Sequence, residues 1–400
     1  MMSFRQFIHT AFILFTAQTL HAQIAVKGDT VYTMAGKPLV NGVVLIKNGK
    51  IQAVGQNLSI PQDYKVYTAK IVTAGFIDAR SVVGFSGAFN APGDQDQIEK
   101  SSPVQPELRA IDAYNPEDKL VAYVRSNGIT TLHTGHGLGA LISGQTMVVK
   151  TKPGLTDEVV VKALAMVAMP IGPSVSGNYT SPGTKGKQVA ILRTELLKAQ
   201  QAAKAAAKDT AKAAAADLKQ QMLQQLLKGE VKALIEANTA VDIMSAIRLS
   251  KEFGLKLVIE GGAEAYRLID QIKAAHAEVI VHATMARPGG DMLNMTMENA
   301  AMLTKAGIPV SIESGYEAYV PKTRVVIFEA AEAVANGLPY EEGLKSITIN
   351  PAKLLGLDKR IGSLEKGKDA DLVLFNGDPF EYTTKPAVVI IDGQVQTPAP

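Results

Sequence analysis

No cysteine occurs anywhere in the 400 residues, and that one absence removes disulfides, thiolate metal sites, a cysteine nucleophile and a lipoprotein anchor together. Any chemistry must use oxygen and nitrogen groups. An excess of one charge is also lacking. With 41 basic and 38 acidic residues the net charge is +3, and no basic block or aromatic-interleaved stripe is present, so nucleic acid is not an expected partner. There is no phosphate loop, because the glycine-containing run from Gly137 to Gln145 lacks a Gly-Lys-Ser/Thr ending. Long apolar runs are confined to the first residues, and even Phe7 to Leu20 is short for a membrane span of about 20 residues.

What is present is the composition of an ordinary folded chain, 46% hydrophobic and 20% charged, which excludes disorder as a class. Arg5 ahead of the first apolar stretch, followed by His21-Ala22-Gln23, reads as a signal peptide over residues 1–22 with the mature chain starting at Gln23. Export to a bacterial periplasm is the expected location, with no membrane contact in the mature form.

Along residues 23–72 short β-rich runs flank tight turns. Val43 to Ile46 and Ile51 to Val54 bracket Asn48-Gly49, both of which accept positive φ, so a hairpin is predicted. The far end, residues 358–400, repeats the pattern: Ala370 to Phe375 as one strand, then Val388 to Ile391 leading into Asp392-Gly393. These two ends are expected to combine into one small β-sandwich. Between them, residues 73–357 alternate amphipathic stretches with strand-like runs at Gly128 to His133, Lys256 to Glu260, Glu278 to His282 and Ile308 to Glu313. The fold class is therefore α/β, a (β/α)₈ barrel of parallel strands with a terminal β-sandwich. Asn350-Pro351 reads as the cap and first residue of the last clear helix. The segment from Glu195 to Lys228, rich in Ala, Lys and Gln, reads as one long helix, either solvated and protruding or offering a partner the apolar stripe near its end.

The run Thr73-Ala74-Gly75-Phe76-Ile77-Asp78-Ala79 resembles the opening barrel strand of the amidohydrolase superfamily, and more closely its imidazolonepropionase-like branch. Asn350 to Leu357 and the run from Ile361 to Val373, which contains Gly367-Lys368-Asp369-Ala370-Asp371, resemble that family's C-terminal signature. The resemblance implies a hydrolase of non-peptide C–N bonds in amides, imides or cyclic amides. It also implies a metal held by Asp-x-His-x-His on the first strand, by histidines on the fifth and sixth, and by an aspartate on the eighth. The matching positions here are Arg80 and Val82, then Glu236 or Asn238, then Gly261, then Gly315. Neither a guanidinium nor an isopropyl group has a lone pair for a metal, and glycine cannot move a proton.

Alternation places Asp78, Arg80 and Val82 on one face of the first strand, Glu236 with Asn238 on the fifth, and Glu313 with Gly315 on the eighth. Arg80 is expected to pair with Glu236 or Glu313, or else to offer a two-pronged clamp to an acidic ligand. His282, Glu236 and Glu313 are the candidates for proton transfer. Arg80, Asn238 and Gln145 are the candidates for binding substrate, with the backbone of Gly137 to Gln145 as an anion cradle or a plain connection. No cofactor is expected. A divalent metal such as zinc would require an unorthodox set from His133, His136 and His282. Two functions stay open: a hydrolase without the usual metal, acting on a small acidic or amide ligand, and a non-catalytic binding or structural subunit that forms a homo-oligomer or pairs with an active relative.

Overall fold

The computed structural model describes residues 23–89, 91–207, 217–282, 288–316 and 325–396. The signal-peptide reading therefore falls outside the described residues. Within them, no helix is long and apolar enough to cross a membrane.

Strands β1 (Ile24–Tyr32), β2 (Leu39–Lys47), β3 (Lys50–Gln56) and β4 (Lys65–Ala74) begin the chain. The barrel uses β5 (Phe76–Ser81), β6 (Ile129–Gly135), β7 (Gly144–Lys150), β8 (Val160–Lys162), β9 (Met166–Ala168), β10 (Lys232–Ala237), β11 (Leu257–Gly261), β12 (Glu278–Val281) and β13 (Val310–Ile312). β14 (Leu372–Phe375), β15 (Pro386–Ile391) and β16 (Gln394–Gln396) return to the first sheet. That sheet has the order β16-β15-β14-β4-β1-β2-β3, so both chain ends build it. Its hairpins turn where expected: Asn48 and Gly49 have φ of 52° and 75°, and Asp392 and Gly393 have 49° and 72°. One face continues the barrel core through Val26, Val44 and Val72, while Ala25, Val43 and Leu45 pack with Tyr64 on the other.

The barrel runs β13-β12-β11-β10-β9-β7-β6-β5, with β8 paired to β7 outside this path. It closes where Ser81 pairs with Gly315 and the Gly315 N–H donates to the Arg80 carbonyl at 3.2 Å. One strand departs from the parallel expectation: β7 runs antiparallel to both β6 and β9. Elsewhere helices cross between parallel strands. Ala240–Phe253 is typical: Thr239 caps it by accepting from the Asp242 N–H, and Gly254 ends it at φ 68°.

Two local expectations are corrected. The segment from Glu195 to Lys228 is not one helix: Lys185–Ala206 and Leu218–Leu227 are separate. Asp217 is extended (φ −69°, ψ 167°) and caps the second helix, and Lys219 reaches back to Glu195 at 3.0 Å. Leu192, Leu196, Leu223 and Leu226 are fully buried, so both helices pack on these faces. The last clear helix starts two residues early, at Ile349, and Asn350 sits inside it. Its side chain donates to the Val310 carbonyl at 2.9 Å, tying the helix to β13 instead of capping it.

Candidate functional site

Four barrel strands share one pattern, an isoleucine, an acid and a small residue: Ile77-Asp78-Ala79 within β5, Ile235-Glu236-Ala237 and Ile259-Glu260-Gly261 at the ends of β10 and β11, and Ile312-Glu313-Ser314 running out of β13. With period-two alternation, an acid between two such residues faces opposite to its neighbours. Glu236, Glu260 and Glu313 all line a cavity of about 250 Å³ at the C-terminal ends of the strands, together with Arg80, Val82, Asn238 and His282. Glu236 and Glu260 sit directly opposite each other on the parallel pair β10 and β11. Glu260 escapes a reading that takes Gly261 as the inward position, although the repeated pattern marks it.

Arg80 is 2% exposed and reaches across the barrel. Its guanidinium donates to the Ser81 carbonyl at 2.6 Å and to the His136 carbonyl, and its Nε lies 3.3 Å from Glu260 Oε1. The expected pairing with Glu236 or Glu313 is thus replaced by Glu260, for a geometric reason. Glu236 already accepts from Asn238 Nδ2 at 3.1 Å and from Ser174 Oγ at 3.2 Å, and Glu313 faces His282 Nδ1 at 3.2 Å. Asp78 lies buried beside this group and ties β5 to the end of β13, accepting from the Ser314 N–H at 3.0 Å and from the Ser314 hydroxyl.

The other sequence candidates separate. Asn238 lines the cavity and orients Glu236. Gln145 does not: it lies on the reversed strand β7 and donates to the Pro106 carbonyl at 3.2 Å. In the run from Gly137 to Gln145 the N–H groups of Gly137, Ile142, Ser143 and Gln145 donate to the carbonyls of Gln97, Pro103, Ala168 and Leu108, so these four cradle no anion. His133 is buried with both ring nitrogens engaged, Nδ1 at 2.6 Å from the Ala79 carbonyl and Nε2 at 2.7 Å from Thr146 Oγ1. This fits a neutral ring that donates through Nδ1 and accepts through Nε2, a clasp joining β5, β6 and β7.

Burial dominates the site's titration. It pushes Glu236 up to about 8, with Glu260 and Asp291 adding to the rise, and Asp78 up to about 6 against the hydrogen bonds from Ser314. It also raises Glu313 well above the carboxylate range, helped by Glu260, and raises Glu260 against the opposing pull of Arg80 and His282. Burial, then Arg80, pushes His133 down to about 3 and His136 down to about 4. These shifts set a pH dependence. An acid that keeps its proton only in the fold loses stability as pH rises toward its folded pKa, whereas the two histidines lose stability as pH falls below about 6.5. Between about pH 6.5 and 8 only the acids act, so the unfolding free energy from urea titration is expected to decline across that window, and Glu236→Gln to flatten the decline. An equal slope in the variant would remove Glu236 from this account.

The donor set does not fit a divalent metal. Among the described residues no group of three or more His, Asp or Glu is placed to hold one, so His133, His136 and His282 do not form the unorthodox set. The cation at the first-strand position is Arg80 itself. The two glycines are backed by side chains that take up their space. A Cβ on Gly261 (φ 82°) would lie 2.5 Å from Asn238 Oδ1, and one on Gly315 (φ 64°) would lie 2.1 Å from His282 Cε1. Restoring a ligand at either position would therefore displace a residue of the present site.

Comparison with known proteins agrees with this architecture. The profile of the amidohydrolase family matches residues 71–396. A solved amidohydrolase from Thermotoga maritima is 30% identical with a TM-score of 0.87, covering 94% of this chain and 100% of that one. Amidohydrolase tasK of Hapsidospora irregularis is 26% identical over 398 residues, 89% of this chain but 40% of tasK. The imidazolonepropionase of Shouchella clausii is 33% identical over 152 residues, 33% of this chain and 34% of that enzyme. The chain thus spans less than half the length of these two curated relatives.

Proposed function

The chain belongs to the amidohydrolase family, on its imidazolonepropionase-like branch, and from that premise we propose that its barrel mouth binds a small ligand without metal-dependent hydrolysis. By family it is an amidohydrolase-like hydrolase. The observation that carries the narrower reading is Arg80, buried and engaged with Ser81, His136 and Glu260 where the family resemblance implies a metal ligand.

The usual family route lowers the pKa of a metal-bound water from about 15.7 to about 7, and this donor set does not supply it. Among the described residues the groups left for proton transfer are Glu236 and the His282–Glu313 pair. General acid–base work of this kind contributes about 10²–10⁴-fold, far short of the acceleration amide hydrolysis requires. What the mouth retains is the concave, mixed apolar and polar lining of a binding site.

Metal content tests this. The protein, purified without a histidine tag and dialysed against zinc, manganese and iron in turn, is expected to hold well under one metal per chain and to hydrolyse no amide, imide or cyclic amide above background. About one bound metal per chain would overturn the proposal and return attention to His133, His136 and His282.

A further inference from the structure

Among the described residues, the binding capacity left in the mouth is mainly that of carboxyl acceptors. Arg80 already donates to two backbone carbonyls and pairs through Nε with Glu260, and Asn238 Nδ2 is shared between Glu236 and Asp291. Against this, Glu260 Oε2 and Glu313 Oε2 are buried oxygens with no hydrogen-bond partner, on side chains 6% and 1% exposed that line the cavity. Among the described residues the charged groups of the lining are Glu236, Glu260, Glu313 and Asp291 against Arg80 and His282, an excess of acid. Val82, Leu138, Pro173 and Met292 supply an apolar flank beside these oxygens.

We propose that this cavity receives a small organic cation, an alkyl ammonium, amidinium or guanidinium, whose N–H groups donate to Glu260 Oε2 and Glu313 Oε2 while its alkyl part lies against the apolar flank. Charge-assisted hydrogen bonds of this kind are roughly twice as strong as neutral ones, and spread N–H donors can serve carboxyls on separate strands. A metal ion fits less well, since among the described residues no three of His, Asp or Glu are placed to hold one. An acidic ligand, the alternative raised by a free Arg80, would meet an excess of carboxyls and a guanidinium already engaged with Ser81, His136 and Glu260. The proposal rests on the mouth being a metal-free binding site.

A proton accompanies the ligand. Glu236 faces Glu260, Asp291 and Glu313, Glu260 faces Arg80 and His282, and Glu313 faces Glu260, Arg80, Asp78, Glu329 and His282. Burial and the facing acids push Glu236 up to about 8, so it holds a proton at neutral pH, and raise Glu260 and Glu313 against the pull of Arg80; a bound cation favours the ionised form of all three. Binding should therefore release protons and tighten as pH rises from 6 toward 8.

Calorimetry on the full chain, with metal content measured on the same sample, tests the assignment using n-butylguanidine and n-butylamine beside neutral n-butylurea and anionic butyrate. At least one cation is expected to bind about tenfold or more tightly than butylurea, with heat that depends on the buffer's ionisation enthalpy, and Glu313→Gln to weaken it by about tenfold while leaving the far-UV spectrum unchanged. Glu236→Gln serves as a second variant should Glu313→Gln fail to fold, and is expected to reduce proton release. Equal binding of butylurea, preferential binding of butyrate, or no binding by a metal-free sample would overturn the cation assignment and leave solvent to serve the two oxygens. A metal found in the sample would instead overturn the reading beneath it.

Discussion

Replacing Arg80 with methionine is expected to cost about 3–5 kcal/mol of folding stability near pH 7.5 and about 1–3 kcal/mol near pH 5. The difference between the two pH values identifies the cause. Arg80 is the cation that opposes the burial of Glu260 and Glu313, and without it both acids must stay protonated in the fold. The unfolded chain ionises them freely, so the variant loses stability as pH rises, more steeply than the parent. The part that survives at pH 5 reflects the buried carbonyls of Ser81 and His136, which lose their donor at any pH. Removing the partner as well, in Arg80→Met with Glu260→Gln, should recover much of the loss at pH 7.5, because an uncompensated acid is then no longer buried. Arg80→Lys should recover little: a point charge on a straight stem cannot serve two carbonyls and a carboxylate at once. A pH-independent loss with no recovery in the double variant, read from urea titrations, would mean that Arg80 fills space and does not hold the acids.

The parts of this molecule legible in the sequence are those decided locally. Asn48-Gly49 and Asp392-Gly393 turn because their residues tolerate positive φ, and strands such as β11 and β12 show as apolar runs whatever their neighbours do. The loss of histidine at positions 80 and 82 is equally local, since the flanking motif fixes the register. What was not legible depends on direction and partnership. Nothing in Gly144 to Lys150 tells a strand that it must run against its neighbours, and with β7 reversed Gln145 bonds to Pro106 instead of joining the mouth. Which carboxylate meets Arg80 depends on which acids other donors have already claimed, a question of three dimensions. Glu260 lay between these cases. Its strand repeats the Ile-acid-small pattern of other barrel strands, but a reading anchored on the expected ligand position steps one residue past it.

The same reasoning assigns a role to the C-terminal signature, and Lys150→Met is expected to show it by lowering stability about 3–5 kcal/mol at neutral pH. Lys150 ends the reversed strand β7, is 2% exposed, and lies among Asp371, Asp369 at 3.2 Å and Asp392 at 3.2 Å. These aspartates do not depend on it equally. Asp369 also has Lys50 at 2.5 Å and Arg360 at 2.8 Å, and Asp392 has Lys152 at 2.8 Å. Among the described residues the Asp371 carboxyl has, besides Lys150, the Asp392 N–H at 2.9 Å, so it is the acid left buried and uncompensated. The cluster joins the barrel to the sheet built from both chain ends, and the Gly367-Lys368-Asp369-Ala370-Asp371 run is therefore a fastening between the two sheets with no part in the mouth. Two consequences separate this from a general packing defect. Acid should narrow the gap between variant and parent, because protonating Asp371 removes the charge that Lys150 neutralises. Adding Asp371→Asn to Lys150→Met should restore part of the loss, while cation binding at the mouth stays unchanged in both variants. A loss of the same size at pH 5 and pH 7.5, with no rescue by the second substitution, would show that the Lys150 stem and not its charge holds the two sheets together.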